Sequence, residues 1–268
     1  MRLLFWAPAA AVGLAILAGA AAAPMTGSTG ATGTLDLNAT LHLASSIGGC
    51  EAVGLADECA ARMIDGPFRG LGEVSGTYSY LVNYGQPFCG SDNLVGNAIA
   101  YPIRITVAGK GEIHVAVAEA PCVLNELNRI SEQTQAFTVT GGTGVYVGAS
   151  GSGTLERTLG GATSTGRIGN ERWNGTLSVP GLAFDLSPPT FTGAADKTVK
   201  TKKGSKTVRV SYRVSATDDR DGAVPVTCVP RSGTRLGLGR TRVTCEATDR
   251  SANTATTKFT VWVNAARR

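Results

Sequence analysis

Apolar and polar residues alternate with a period of two along much of the chain, which is the pattern of β-strands that bury one face. Leu35, Leu37, Ala39, Leu41 and Leu43 alternate with polar residues in this way. Alternation and short apolar runs together predict strands over 35–43, 74–84, 98–107, 112–118, 136–140, 144–149, 153–159, 163–168, 173–179, 207–216, 224–229, 241–247 and 257–263. Residues 124–135 alone have a helical spacing of apolar positions, and they predict one short helix.

The strand pattern divides into two parts at Ser187-Pro188-Pro189, which we interpret as a linker. Residues 24–187 hold eight or nine short strands separated by glycine-rich turns, which predicts an antiparallel β-barrel or a sandwich. Residues 188–264 form a shorter all-β unit in the size range of an immunoglobulin-like sandwich. An apolar fraction of 43% excludes a disordered chain, and the fold class is predicted to be all-β.

The N-terminus has the features of an export signal. Residues 3–23 contain no charged side chain and end in a run of small residues, which predicts a signal peptide over residues 1–23. A stretch of this length is also sufficient for an uncleaved membrane anchor, and that alternative stays open. Under either interpretation the rest of the chain is exported, so we expect a secreted, extracellular protein that contacts a membrane only if the signal segment remains uncleaved.

The chain has six cysteines, an even number that predicts three disulfides in an exported protein. The gap between Cys122 and Cys228 crosses the linker, which favours a bond between Cys228 and Cys245. The other four cysteines, Cys50, Cys59, Cys89 and Cys122, can pair in three ways. Pairing Cys50 with Cys59 and Cys89 with Cys122 gives the least crossing of disulfide loops. The spacing of cysteines and histidines does not fit zinc, and we expect no metal.

Charge is distributed unevenly between the two parts. Residues 24–187 contain 8 basic and 14 acidic residues, whereas residues 188–268 contain 16 basic and 6 acidic residues, a net charge of +10. Five lysines of the second part lie close together: Lys197, Lys200, Lys202, Lys203 and Lys206. They are interpreted either as a solvated hairpin or as a contact for an anionic partner.

A glycine-rich segment in the first part resembles a known barrel family. Residues 137–153 contain Gly-Gly-Thr-Gly-Val-Tyr-Val-Gly-Ala-Ser-Gly, which is similar to a segment of dirigent proteins and allene oxide cyclase barrels. The resemblance implies a barrel whose interior holds an apolar ligand. Its lining is predicted to include five aromatic residues, Tyr78, Tyr80, Tyr84, Tyr101 and Trp173, for which packing as an ordinary core is the alternative.

The second part resembles the hyalin repeat (HYR) domain over nearly its whole length. The motifs are Cys-Val-Pro-Arg-Ser-Gly from Cys228, Gly-Arg-Thr-Arg-Val-Thr-Cys-Glu-Ala-Thr-Asp from Gly239, and a closing alternating strand. Ala252 departs from the family, which usually has glycine there. The resemblance implies an immunoglobulin-like fold, a Cys228–Cys245 bridge and a role in extracellular adhesion. Asp218, Asp219 and Asp221 lack the spacing of a calcium loop and predict a polar turn.

The chain contains no recognised catalytic motif. His42 and His114 fall on the polar sides of their strands, and no nucleophile signature is present. We therefore expect a secreted, non-catalytic protein whose HYR module binds an extracellular surface or matrix component, with no cofactor and no nucleic-acid partner. The alternative is a barrel that binds a small apolar ligand, or acts on it as a cyclase or isomerase, and is tethered by the HYR module.

Overall fold

The computed structural model describes residues 32–46, 58–84, 95–124, 131–160, 163–164 and 166–266. The regular structure of these residues is β, apart from one 3₁₀ turn at Gly144–Tyr146. The strands are β1 Thr32–Ser45, β2 Glu58–Phe68, β3 Gly72–Tyr84, β4 Val95–Ala98, β5 Tyr101–Val107, β6 Gly111–Val117, β7 Ala120–Leu124, β8 Ser131–Gly142, β9 Ser150–Leu159, β10 Arg167–Ala183, β11 Thr190–Thr192, β12 Lys197–Lys200, β13 Thr207–Arg209, β14 Ser215–Asp218, β15 Gly222–Val224, β16 Val226–Val229, β17 Arg235–Gly237, β18 Gly239–Thr248 and β19 Thr254–Asn264.

Eight of the first ten strands close into an antiparallel barrel. Their order is β1, β10, β9, β8, β6, β5, β3 and β2, and β2 pairs again with β1. The second half of β3 pairs with β4, which pairs with β7. Closure covers the strand edges that an open sheet would expose. The prediction of an all-β fold with an N-terminal barrel is confirmed.

The inward positions of the barrel are mostly those that the alternation predicts. Leu41 and Leu43 of β1 are fully buried, as are Ile103 of β5, Leu155 of β9 and Trp173 of β10. The barrel therefore encloses a packed core of aliphatic and aromatic side chains, and burial of this apolar surface is the main force that holds it closed.

Two glycines of the dirigent-like segment permit close contact between β9 and β10. A Cβ atom at Gly151 or Gly153 would collide with the carbonyl oxygen of Thr176 or Asn174 on the neighbouring strand. Gly141 near the end of β8 and Gly144 in the following 3₁₀ turn have φ angles of 145° and 59°. Glycine is favoured at such positions because it has no Cβ atom.

The remaining strands form the second domain. A four-stranded sheet has the order β12-β19-β18-β16, in which β12 runs parallel to β19. The smaller sheets β11-β14-β15 and β13-β17 pack on it. Val243 and Val261 of the large sheet are fully buried and share a core with Leu236 of β17 and Phe191 of β11. This arrangement agrees with the predicted immunoglobulin-like sandwich.

Several predicted elements are wrong in detail. Part of the predicted helix, residues 131–135, belongs to β8, because its backbone pairs with β9; residues 125–130 lie outside the described part. Residues 144–149 begin with the 3₁₀ turn, and Thr163 and Gly166 form an isolated bridge before β10. Residues 207–216 divide into β13 and β14. Between them, the hydroxyl of Ser232 hydrogen-bonds with the N–H and the carbonyl oxygen of Tyr212, so these groups are not paired with a strand. Strand β2 was not predicted, because it buries Arg62 and exposes Met63.

The predicted signal peptide, residues 1–23, lies outside the described residues. In the part of the chain that the structure covers, no helix has the length and apolar character needed to cross a membrane.

Candidate functional sites

Inside the barrel, a buried ion pair interrupts the apolar lining. Arg157 on β9 and Glu171 on β10 face each other in register and are 1% and 0% exposed. Arg157 Nε donates a hydrogen bond to Glu171 Oε1 over 3.0 Å. Each occupies an inward position of its strand, in line with the buried Leu155 and Trp173. The ion pair is therefore part of the barrel core.

Three uncharged side chains from other strands complete a network around Arg157. Its Nη1 donates to Gln135 Oε1 over 3.0 Å, and its Nη2 donates to the hydroxyl oxygens of Tyr78 and Tyr101 over 3.2 and 2.5 Å. Tyr78 donates its own hydroxyl proton to Glu171, and Tyr101 donates to Gln135 over 3.1 Å. The network thus links β3, β5, β8, β9 and β10 through their inward faces.

A second buried arginine lies beside this network. Arg62 is 5% exposed, and its guanidinium carbon lies 3.7 Å from the ring centroid of Tyr80. Burial, together with the positive charge of Arg157, lowers the pKa of Arg62. Among the described residues, no group accepts from Nε or Nη1 of Arg62, and Glu171 Oε2 and Trp173 Nε1 likewise lack partners. The interior therefore combines two guanidinium groups, one carboxylate and unused hydrogen-bonding atoms.

The structure places four of the five predicted cavity residues inside the barrel. Tyr78 and Tyr101 stack with ring centroids 5.1 Å apart, Tyr80 contacts Tyr101 edge-on at 5.7 Å, and Trp173 packs on Phe137 at 5.0 Å. The side chain of Tyr84 lies outside the described residues. Burial raises the pKa of Tyr101 to about 12. Its phenol therefore stays protonated at neutral pH and acts as a hydrogen-bond donor.

The analysis of the sequence did not identify Arg62, Gln135, Arg157 and Glu171 as members of one site. The sequence did contain one signal of a buried charge, because Arg157 takes an inward position of an alternating strand, between Leu155 and Leu159. His42 and His114, in contrast, lie on the outer side as expected; their rings contact Asp65 over 3.2 Å and Glu112 over 3.3 Å.

The second domain presents a cationic surface around an exposed aromatic ring. Trp262 on β19 is 45% exposed and is paired in register with Arg240 on β18. The guanidinium carbon of Arg240 lies 5.7 Å from a ring centroid of Trp262. The strand registers place three further exposed cations on the same side of the sheet. We call the set of Lys200, Arg240, Arg242, Lys258 and Trp262 the basic face.

The five lysines of the predicted anionic contact are all exposed. Lys197 and Lys200 belong to β12, and the other three lie in the loop that follows it. Lys197 Nζ donates to the carbonyl oxygen of Ser211 over 2.6 Å, which holds this side chain against the domain. Of the five, Lys200 belongs to the basic face, and the loop lysines continue from the end of the same edge strand.

An acidic cluster lies where the two domains meet. Asp185, Asp218 and Asp249 are 6%, 7% and 7% exposed, and one carboxylate oxygen from each lies within 4.8 Å of the other two. Asp218 also forms the expected polar turn, because its Oδ1 accepts the N–H groups of Arg220 and Asp221. The separation of the three aspartates along the chain explains why no spacing motif indicated the cluster.

Direct hydrogen bonds join the domains around this cluster. Asn253 Nδ2 donates to the carbonyl oxygen of Asp185 over 3.0 Å, and the N–H of Gly70 donates to the carbonyl oxygen of Ser251 over 2.6 Å. Arg69 Nε donates to Asn253 Oδ1 over 3.3 Å. Polar contacts therefore connect the β2–β3 turn of the barrel with the turn that follows β18.

The disulfide between Cys228 and Cys245 is present and joins directly opposed residues of β16 and β18. Cys59 is also disulfide-bonded. Cys50 and Cys89, and the side chain of Cys122, lie outside the described residues, so the pairing of the first four cysteines stays a prediction.

Comparison with known proteins assigns the second domain to a family. Residues 184–263 match the family model of the HYR domain. HYR domains are adhesion-type modules of extracellular proteins, and the Cys228–Cys245 disulfide agrees with that setting. No curated protein matches the chain.

Proposed function

We propose that this is a secreted, non-catalytic protein whose HYR domain binds an acidic polysaccharide of an extracellular surface or matrix. The basic face is the observation that carries this proposal. It combines four exposed cations with an exposed tryptophan on one side of one sheet, in a domain with a net charge of +10. A signal peptide over residues 1–23 would deliver the protein to that compartment.

The geometry of the face suits a linear polyanion. Neighbouring strands lie about 4.8 Å apart, so cations on β12, β18 and β19 form a row roughly 10 Å wide. The guanidinium groups of Arg240 and Arg242 can each donate two parallel hydrogen bonds to a carboxylate or sulfate group. Trp262 adds an apolar surface on which a sugar ring can pack, and its indole N–H can donate a hydrogen bond.

Binding of the full chain to immobilised carboxylated and sulfated polysaccharides, measured between low and high salt, tests the proposal. Exposed charge pairs are screened by salt, so we expect affinity to fall steeply as salt rises. Arg240→Gln with Arg242→Gln should weaken binding about tenfold or more. Arg231→Gln with Arg235→Gln removes the same charge elsewhere on the domain and is the control.

The loop lysines provide a second arm of the same experiment. Neutralising Lys200, Lys202, Lys203 and Lys206 together should also lower the affinity and its salt dependence. Unchanged binding in this variant and in the Arg240 and Arg242 variant would refute an electrostatic contact at this face.

A second candidate function lies in the barrel, where buried atoms without partners favour a bound ligand. Among the residues that the structure describes, no group accepts a hydrogen bond from Arg62 Nε or Nη1, so both atoms could donate to a ligand. The excess positive charge there suits a small anionic ligand better than the apolar one that the dirigent resemblance implies. Titration with small carboxylates, followed by the fluorescence of the buried Trp173, tests this candidate. We expect saturable quenching that Arg62→Met abolishes, and a flat titration would remove the candidate.

A further inference from the structure

The acidic cluster at the domain junction has the composition of a cation site. Asp185 follows β10 of the barrel, whereas Asp218 ends β14 and Asp249 follows β18 in the HYR domain. Among the described residues, no basic side chain forms an ion pair with any of the three. Three buried carboxylates therefore lie close together without a neutralising partner in direct contact.

We propose that Asp185, Asp218 and Asp249 bind one Ca²⁺ ion, which fastens the HYR domain to the barrel. Calcium takes carboxylate oxygens at 2.3–2.6 Å, so two oxygens on the same ion are at most about 5 Å apart. One carboxylate oxygen from each aspartate lies within 4.8 Å of the other two, which fits three ligands on one shared ion. Calcium is favoured over magnesium because it accepts several protein carboxylates in flexible geometry, whereas magnesium retains most of its water.

An unsatisfied oxygen within the cluster supports the proposal independently. Oδ1 of Asp218 is occupied by two backbone N–H groups, but its Oδ2 is buried and has no hydrogen-bond partner among the described residues. A buried carboxylate oxygen without a partner is costly. A bound cation would remove this cost, since it would accept the free lone pair and balance the charge.

The surrounding hydrogen bonds hold the carboxylates in place. Oδ1 of Asp249 accepts the N–H groups of Ser251 and Asn253, both over 2.8 Å, and its Oδ2 accepts Asn253 Nδ2. Oδ1 of Asp185 accepts the N–H of Ser187 over 3.2 Å. These bonds come from uncharged groups, so they orient the carboxylates and leave their negative charge for a cation.

The electrostatics of Asp185 agree with this interpretation. Burial, and then the negative charges of Asp218 and Asp249, raise its pKa, against the lowering effects of the Ser187 N–H and Arg220. A crowded group of this kind is relieved either by protons or by a cation.

The location of the site gives the ion a structural role. Asn253 donates from its side-chain amide to the carbonyl oxygen of Asp185 and to Asp249 Oδ2. Asp185 lies at the start of the HYR match, between Phe184 and Leu186, whose side chains pack with the barrel core. Beside the cluster, a groove of about 390 Å³ includes residues of both domains. Its charged lining residues are Asp185, Asp221, Lys110, Arg220 and Arg250. This inference does not depend on polysaccharide binding, because the basic face lies on a different sheet from Asp218.

The test uses the full chain freed of metal with a chelator. Calorimetric titration with CaCl₂ alone should show one ion per chain, and the thermal unfolding midpoint should rise with calcium. Asp218→Asn keeps the Oδ1 acceptor of the turn but removes the free anionic oxygen. It should weaken calcium binding at least about tenfold, since even residues that only orient ligands contribute that much. Asp219→Asn, an exposed neighbour in the same turn, is the matched control and should bind as the parent chain does.

A second variant keeps the proposal open to refutation if Asp218→Asn fails to fold. Asp185→Asn changes the aspartate that lies between Phe184 and Leu186, which pack with the barrel core, and it should lose calcium binding to a similar extent. Absence of both a binding heat and a midpoint shift at millimolar calcium would overturn the proposal. Equal losses in Asp219→Asn and Asp218→Asn would also overturn it, because they would indicate a diffuse acidic surface.

Discussion

Removal of Arg157 provides a direct test of the buried network in the barrel. Arg157→Met keeps the length of the side chain but leaves Glu171 buried without its ion-pair partner. Breaking a buried pair in this way costs about 3–5 kcal/mol of unfolding free energy. Arg157 also donates to Gln135, Tyr78 and Tyr101, so its removal takes one hydrogen bond from each of these buried side chains. We therefore expect a value in the upper half of that range.

The neighbouring surface pair supplies the control. Arg172 and Glu156 lie on the same two strands, and their closest charged atoms are 4.0 Å apart, but both side chains are more than half exposed. Exposed pairs of this kind contribute less than about 1 kcal/mol. Arg172→Met should therefore have a small effect, even though it removes the same type of side chain from an adjacent position.

Urea unfolding of the full chain distinguishes the two variants when Trp262 is replaced by Phe in both, so that the fluorescence of Trp173 reports on the barrel. With a slope of about 2 kcal/mol per molar urea, Arg157→Met should lower the midpoint by roughly 2 M and Arg172→Met by less than about 0.5 M. Adding Glu171→Met to Arg157→Met should recover much of the loss, because the unpaired charge is then absent. Equal midpoints for Arg157→Met and Arg172→Met would refute the assignment of the network to the core.

Three further predictions concern the HYR domain and the junction. Ala252 has a φ of 61° in the turn after β18, so Ala252→Gly should raise the unfolding free energy by about 1 kcal/mol in a thermal or urea melt; no gain would mean that the turn is not strained. Cys228→Ser with Cys245→Ser opens a loop with a sequence separation of 17 and should cost about 3 kcal/mol in the same assay, whereas a loss below 1 kcal/mol would contradict the loop-closure argument. Burial raises the pKa of Asp185 in the folded state. In chelator, the contribution of Asp185 to the unfolding free energy is therefore fully present below its ordinary pKa near 4 and is lost as pH rises through the raised pKa. The stability of the parent chain should fall relative to that of Asp185→Asn as pH rises, and a pH-independent difference would contradict the raised pKa.

The sequence by itself determined the all-β class and the HYR assignment, and it left a barrel or a sandwich for the first part, because these features are expressed in neighbouring residues. Alternation along β1, β5 and β19 reports which face of each strand is buried, and that face follows directly from the period of two. The HYR motifs around Cys228 and Cys245 are local as well, and residues 184–263 match the family.

Only the tertiary structure decided what occupies the barrel interior and the junction. Strand β2 was missed because Arg62 takes an inward position that is stabilised by the ring of Tyr80 on the next strand. Arg157 and Glu171 are recognisable as a core ion pair only once β9 and β10 are in register. Asp185 follows β10, Asp218 ends β14 and Asp249 follows β18, and the three carboxylates meet only once the chain has folded. In each case the physical reason is the same: the interaction energy comes from contacts between residues distant in the chain, which no local pattern records.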